Sequence, residues 1–329
     1  MKRKLFIAAV AAVALAACEE KINEQTVSAD EMVELTISIP SVATKVSEKN
    51  EPGNSDAVNS LQVLLFDDKG ALETSDIQSG TSIVLPCVPG KKKVVALVNA
   101  PDLSEVQSYS QLTGMTSKLG DNTIDSMVME GQVEVDITTN TSVTIPVSRL
   151  AAKVILRQVE NSFTLPTHQQ MDFTIKSIYL LNVAGEKAYL SDAMPELWYN
   201  KMQKMIDLEG GTPRFIYDEL PSPIRVPYNG TYTADKYYYC YPNPAEEDTS
   251  DKVWSERYTR LVVEANLGAE TVYYPVTLPD VSMNTVYEIS LKVTRPGSDS
   301  PDVPVSGHVA EFRIVVQDWI TGELIEEVI

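Results

Sequence analysis

A regular alternation of apolar and polar residues occupies residues 32–40. Val33, Leu35, Ile37 and Ile39 are apolar, and Glu, Thr and Ser stand between them. This period of two predicts a strand with one buried face, and a proline ends it. Residues 41–60 then carry Ser, Asn, Glu and Lys with few apolar side chains, which predicts an exposed, mobile loop.

The same kind of pattern continues through most of the chain. Short apolar runs between turn residues predict further strands, at 61–66, 82–86, 93–98, 127–137 and 141–146 and, after a boundary near 147–153, at 152–159, 173–183, 237–241, 260–267, 271–277, 286–293 and 309–316. A long crossing loop is expected at 294–306. The spacing indicates an all-β protein with two β-sandwiches in tandem, over residues 32–147 and 148–329.

Two segments interrupt the strand pattern with helical features. A short helix is predicted within 101–119, with Asp102 or Ser104 as its N-cap. A second is predicted at 192–206, where Asp192 is a candidate N-cap, Pro195 suits the first turn, and four apolar residues share one helical face. One or two short helices are therefore expected in an otherwise β protein.

The first residues have the features of an export signal. Three basic residues precede an apolar core at 5–14, which is too short to span a bilayer. The sequence LAAC at 15–18 matches a lipobox. We therefore interpret 1–17 as a lipoprotein signal peptide, Cys18 as the lipidated (palmitate-bearing) residue, and 18–31 as an acidic tether.

The charge of the chain excludes some partners. It has 27 basic and 46 acidic residues, a net charge of −19, and loss of the basic leader would make it −22. Such a surface repels nucleic acid and anionic lipid, so membrane contact is expected only through Cys18. Cys87 and Cys240 are interpreted as buried free thiols, with a disulfide between them as the alternative.

The sequence contains no recognisable catalytic motif. Its two histidines, His168 and His308, are far apart, and HExxH, CxxC, GxSxG and glycine-rich phosphate loops are not present. We predict that the protein is not an enzyme and needs no cofactor. Two minor alternatives stay open, namely calcium at the acidic turns 67–68 and 246–248, and a carbohydrate platform instead of strand packing for the tyrosines at 237–241.

Several separated stretches resemble one family, the FimA-type fimbrillins, which are the type V pilus subunits of Bacteroidales. They are the lipobox with its tether, VELTISIPSVATK at 33–45, VSRLAAKVI at 147–155, VYYPV at 272–276, YEISLKVTRPG at 287–297 and VVQDW at 315–319. The resemblance implies two transthyretin-like β-sandwich domains. It also implies a lipoprotein precursor at the outer membrane, a trypsin-like protease that cuts the first loop, and a surface fimbria that supports adhesion together with anchor and tip subunits.

In that family, loss of the first strand opens a groove that a neighbouring copy fills with its C-terminal segment. Here the removable strand would carry Val33, Leu35, Ile37 and Ile39. The candidate donor is 320–329, with Ile320, Leu324 and Val328 on one face and Ile325 and Ile329 on the other. Acidic residues interrupt both faces, and pairing of this segment within its own domain is the alternative.

One departure from the family concerns the cut. The family commonly cuts after arginine, but this loop offers only Lys45 and Lys49. Either lysine is accepted, or the chain stays uncut as an outer-membrane lipoprotein that serves as a pilus anchor or glycan-binding accessory.

The lipidation prediction can be tested directly. In cells fed a labelled fatty acid, the wild-type chain should incorporate label and fractionate with membranes, and Cys18→Ala should lose both properties. A matched Cys87→Ala variant should keep them. Label that persists in Cys18→Ala would contradict the assignment.

Overall fold

A computed structural model describes residues 32–40, 53–202, 216–247, 253–278, 280–305 and 307–319, together with the backbone of one strand at 324–327. Strands dominate these residues, so the all-β prediction is confirmed. No helix in the described part is long and apolar enough to cross a membrane.

The N-terminal half forms a β-sandwich. Its strands are β1 (Val33–Ser38), β2 (Leu61–Phe66), β3 (Leu72–Gln78), β4 (Ser82–Cys87), β5 (Gly90–Val98), β6 (Thr116–Lys118), β7 (Met129–Ile137), β8 (Thr141–Thr144) and β9 (Ser148–Arg149). One sheet has the order β4-β1-β8, and the facing sheet has the order β3-β2-β5-β7-β9.

The C-terminal half is a second sandwich. Its strands are β10 (Ala152–Asn161), β11 (Phe173–Leu181), β12 (Val183–Ala184), β13 (Glu186–Ala188), β14 (Trp198–Tyr199), β15 (Tyr217–Arg225), β16 (Thr231–Cys240), β17 (Thr259–Leu267), β18 (Glu270–Leu278), β19 (Thr285–Val293), β20 (Ala310–Asp318) and β21 (Leu324–Glu327). The larger sheet has the order β16-β10-β19-β20-β21, and the other has the order β15-β11-β17-β18. Two short ribbons, β12-β14 and β13-β6, complete the fold, and the second of them joins the two halves.

The described residues contain two short α-helices. Helix α1 (Tyr109–Thr113) lies within the predicted region, but its N-cap is Ser108, whose hydroxyl accepts from the Gln111 N–H. The predicted caps are wrong, because Asp102 instead accepts from the Ser104 N–H in a local turn. Helix α2 is Pro166–Gln169.

The helix predicted at 192–206 is wrong where the structure describes it. Residues 192–202 contain no helix, and Trp198 and Tyr199 form β14. Asn200 and Met202 have φ of 49° and 58°, which a right-handed helix does not allow. Tertiary pairing of this segment with β12 therefore overrides its helical periodicity. Residues 203–206 lie outside the described part.

Strand β2 shows how the two halves share a core. All six of its residues are buried. Leu61, Val63 and Leu65 belong to the cluster inside the first sandwich, whereas Leu64 and Phe66 belong to the cluster that continues into the C-terminal half. The sheet of β2 is thus covered on both faces, which explains why apolar residues stand on both sides of this strand, with Gln62 as its one polar residue.

The crossing loop between β19 and β20 is held by a buried carboxylate. Asp302 accepts from Arg257 Nη1 at 2.7 Å, from Asn182 Nδ2 at 2.7 Å and from Arg260 Nε at 3.4 Å. Both guanidinium groups are fully buried. Removal of the carboxylate charge would leave them poorly compensated.

Asp302→Asn is therefore expected to lower the free energy of unfolding by about 3–5 kcal/mol in urea titrations. The matched control is Asp172→Asn, which removes an exposed ion pair with Arg225 and should cost less than about 1 kcal/mol. Equal, small effects of the two substitutions would contradict a structural role for the buried pair.

Candidate functional site

Strand β1 lies in the middle of its three-stranded sheet. It pairs antiparallel with β4, from Val33 opposite Cys87 to Ser38 opposite Ser82. On its other edge it pairs parallel with β8, from Leu35 opposite Thr141 to Ser38 opposite Thr144. No other strand in the described residues connects β4 to β8, so loss of β1 would leave a slot with two open edges.

The inward face of β1 is dry. Leu35 and Ile37 are 0% exposed and Ile39 is 4% exposed, and all three belong to the core cluster of the first sandwich. Val33 is half-buried and packs at the end of this cluster. These four residues have the parity predicted from the sequence.

Hydrogen bonds outside the regular ladder fix both ends of β1. The Glu34 N–H donates to Asn140 Oδ1 at 3.0 Å. At the other end, the Ile39 N–H donates to Thr81 O at 3.0 Å, and the Ile145 N–H donates to Ser38 O at 2.8 Å. Because each end is held, the register of the strand in its slot is defined.

The described end of the loop after β1, residues 53–60, makes hydrogen bonds to the first sandwich. Lys45 and Lys49 lie outside the described residues. Within 53–60, the Asn54 N–H donates to Asp125 Oδ1 at 2.5 Å, and Asn59 Nδ2 donates to Asp125 O at 2.7 Å. Ser55 is only 7% exposed. Residues 53–60 thus bond to the sandwich, although Gly53, Asn54 and Asn59 remain exposed.

The described part of the C-terminal segment, residues 324–327, lies in the other half of the molecule. Leu324 and Ile325 are in β21, which pairs antiparallel with β20 from Gln317 opposite Leu324 to Ile314 opposite Glu327. Ile320, Val328 and Ile329 lie outside the described residues. The structure therefore does not pair β21 with β1 within one chain, and it places β21 at the edge of its own sheet.

The two described cysteines differ in position. Both are free and buried, as predicted. Cys87 ends β4 opposite Val33 of β1, and burial, with the nearby Glu73 carboxylate, raises the pKa of its thiol. Cys240 lies in the other sandwich, where burial raises its pKa to about 12. Loss of β1 would uncover Cys87 and leave Cys240 covered.

Other candidate chemistry finds little support. Among the described residues, no three or more His, Cys, Asp or Glu side chains are grouped closely enough to hold a metal ion. Tyr238, Tyr239 and Tyr241 are buried, which favours the strand-packing interpretation over a carbohydrate platform. Sequence reasoning did not assign a role to Arg149 or Trp319, although two basic residues, Arg149 and Lys153, in the largely apolar stretch at 147–155 were a visible signal.

The fold and the site define a class of protein: tandem β-sandwiches whose first strand fills the middle of a sheet. Residues 33–176 match the family model described as major fimbrial subunit protein (FimA). The resemblance to FimA-type fimbrillins that the sequence suggested is thereby confirmed. The match covers less than half of the chain, and over those residues the protein is similar to fimbrial structural subunits.

Solved structures share the fold across most of the chain. A candidate cell adhesion protein from Bacteroides eggerthii is 18% identical, with a TM-score of 0.64 over 91% of this chain and 98% of its own. The fimbrilin FimA of Porphyromonas gingivalis is 14% identical, with a TM-score of 0.63 over 88% and 98%. The tip fimbrial protein Mfa3 of the same organism is 13% identical, with a TM-score of 0.53 over 88% and 100%. A search of curated proteins gave no match.

The burial of β1 predicts a large cost for truncating it. Leu35→Ala should lower the free energy of unfolding of the uncut chain by about 2–5 kcal/mol, because it leaves a cavity in the core. Glu34→Ala, on the exposed side of the same strand, should change it by less than about 0.5 kcal/mol. Urea titration measures both, and a neutral Leu35→Ala would contradict the importance of this strand for stability.

Proposed function

We propose that the protein is a structural fimbrial subunit that polymerises by strand exchange. The observation that carries this proposal is the central position of β1, paired on both edges and buried on one face. Residues 32–147 would form the accepting sandwich, and 148–329 would form the half that ends in the donor segment.

The energetics of β1 explain why exchange is needed. The buried side chains of Leu35, Ile37 and the adjoining Ile39 contribute about 1.5–3 kcal/mol each, while a whole domain is stable by only about 5–15 kcal/mol. A sandwich that has lost the strand is therefore close to unfolding. It persists only when another strand enters the slot, with main-chain bonds supplying affinity and side chains filling pockets.

The geometry of the slot restricts the incoming strand. A donor that runs in the direction of β1 reproduces the antiparallel ladder with β4 and the parallel ladder with β8. Its alternate residues must replace Leu35, Ile37 and Ile39. Residues 320–329 are our candidate donor, and their release would break only one ladder, because β21 pairs with β20 alone among the described strands.

The remaining steps follow from the leader and the loop. The precursor would be lipidated at Cys18, held at the outer membrane, and cut after Lys45 or Lys49 by a trypsin-like protease. Each subunit then donates to the next and accepts from the previous one. Such head-to-tail contacts do not close, so they build an open filament that supports adhesion with anchor and tip subunits.

A second candidate function is an uncut outer-membrane lipoprotein of the same fold, acting as an anchor or a glycan-binding accessory. Pairing of β21 with β20 of its own chain favours this second function, because the hydrogen bonds of that ladder must be broken before the segment can enter another subunit. The next experiment separates the two candidates.

Brief trypsin treatment of a purified chain that begins at Glu19 tests the exchange. We expect one early cut in the loop, ladders on denaturing gels without heating, and transient maleimide labelling of Cys87 but not of Cys240. Labelling should rise as β1 leaves and fall as a donor enters.

The control is the Lys45→Gln/Lys49→Gln chain, which should stay monomeric with both thiols protected. A cut wild-type chain that remains monomeric and never exposes Cys87 would contradict polymerisation and support the uncut lipoprotein.

A chain lacking residues 320–329 tests the donor. It should fold and be cut, and its own slot should still accept a strand, but it should form no ladder alone. Added to the full-length chain, it should shorten the ladders in proportion to its amount, because it accepts without donating. Long ladders from the truncated chain alone would show that the donor lies elsewhere.

A further inference from the structure

Arg149 makes contacts to three separate parts of the chain. Its Nε donates to Ser55 O at 3.1 Å, its Nη2 pairs with the Asp56 carboxylate, and its Nη1 lies 3.3 Å from Asn284 Oδ1. Its guanidinium carbon lies 4.6 Å from the centre of the Trp319 ring. The Arg149 residue is 1% exposed, whereas the Asp56 side chain is 19% exposed, so the guanidinium is buried and its carboxylate partner is partly exposed.

The first of these partners belong to the end of the first loop, residues 53–60, after the candidate cut sites. Ser55 and Asp56 come shortly after Lys49, and a cut at either candidate lysine would leave them on the mature chain. Arg149 itself lies in β9, which pairs with β7 of the first sandwich. The segment is therefore attached to the accepting sandwich by a contact that the cut does not remove.

Trp319 lies where the C-terminal segment begins. It is 9% exposed and belongs to the same core cluster as Leu35 and Ile37. Its ring stacks on Tyr239 with centroids 5.9 Å apart, and Lys153 Nζ lies 4.6 Å from its centre. Its N–H donates to Asn284 O at 2.9 Å, so Asn284 links the backbone of Trp319 to the guanidinium of Arg149.

A buried cation makes this arrangement cooperative. A guanidinium taken out of water is stable only while its charged and polar partners stay in place. Loss of the Asp56 carboxylate therefore makes the position of the Arg149 guanidinium less well fixed, and this weakens its cation–π contact to Trp319. The coupling free energy between the two ends of the cluster is the same whichever end is perturbed.

We propose that Arg149 is a positioning residue that couples residues 53–60, the part of the first loop after the candidate cut sites, to Trp319 at the base of the C-terminal segment. Its use in assembly rests on the proposed function: the place where a subunit is opened to accept a strand and the place where it begins to donate one are joined by a single buried side chain. The coupling itself is a property of the uncut chain.

Hydrogen exchange measured by mass spectrometry on the uncut chain from Glu19 tests the coupling. Asp56→Ala should accelerate exchange in a peptide covering 315–319 by at least about tenfold, although Asp56 is far from it in sequence. Trp319→Phe should, in return, accelerate exchange in 53–60. Arg149→Lys, which keeps the charge but loses the planar fork, should accelerate both.

The matched control is Glu134→Ala, which removes an exposed partner of Lys93 and should alter neither peptide. Peptides from β11 and β17 should be unchanged in every variant. If Asp56→Ala affects only 53–60, or accelerates all peptides equally, the coupling is overturned, because the contact is then purely local or purely structural.

The polymerisation assay distinguishes this proposal from the proposed function. Coupled exchange in the uncut chain without ladders after the cut would retain the positioning role of Arg149 and reject strand exchange. Ladders formed by a wild-type chain without coupled exchange would reject the role of Arg149 alone.

Discussion

The pairing of β1 on both of its edges is the constraint on which the first sandwich depends. When an edge strand leaves a sheet, one hydrogen-bonded ladder is broken, but when a central strand leaves, two ladders are broken and two strand edges are exposed. Here the same strand also contributes Leu35, Ile37 and Ile39 to the core. Backbone pairing and side-chain burial are therefore lost or kept together, which makes the occupancy of this one position decisive for the whole sandwich.

The surface against which β1 packs is itself supported by the rest of the fold. The five-stranded sheet behind it is covered on its far side by residues of the continuous core that extends into the C-terminal half. Ile155, Tyr239 and Val286 of that half also contribute to the cluster around β1. A strand that enters the slot thus meets a surface shaped mainly by residues that do not belong to the exchanged element.

Much of the fold was predictable because period-two alternation depends on local sequence alone. It located β1 and its buried parity, and it located most of the other strands. The segment 192–206 has an equally clear helical period, yet pairing with β12 and the positive φ values at Asn200 and Met202 prevent a helix. The role of Arg149 was not predictable, since its partners at Ser55, Asn284 and Trp319 are brought together only by the fold.

On the proposed function, the weak apolar pattern of the C-terminal segment has a physical reason. A segment that matched the slot of its own chain very well, and that could reach it, would compete with β1 and close the molecule on itself. The structure separates the two elements, with β21 on the outer edge of the second sandwich and β1 inside the first. Exchange is then favoured, because the segment forms two hydrogen-bonded ladders and buries one face in a neighbouring subunit, whereas it forms one ladder in its own chain. The acidic residues that interrupt its faces reduce the stability of the segment in either position. Whether the segment is exchanged therefore depends on the slot, which is open only after β1 has left.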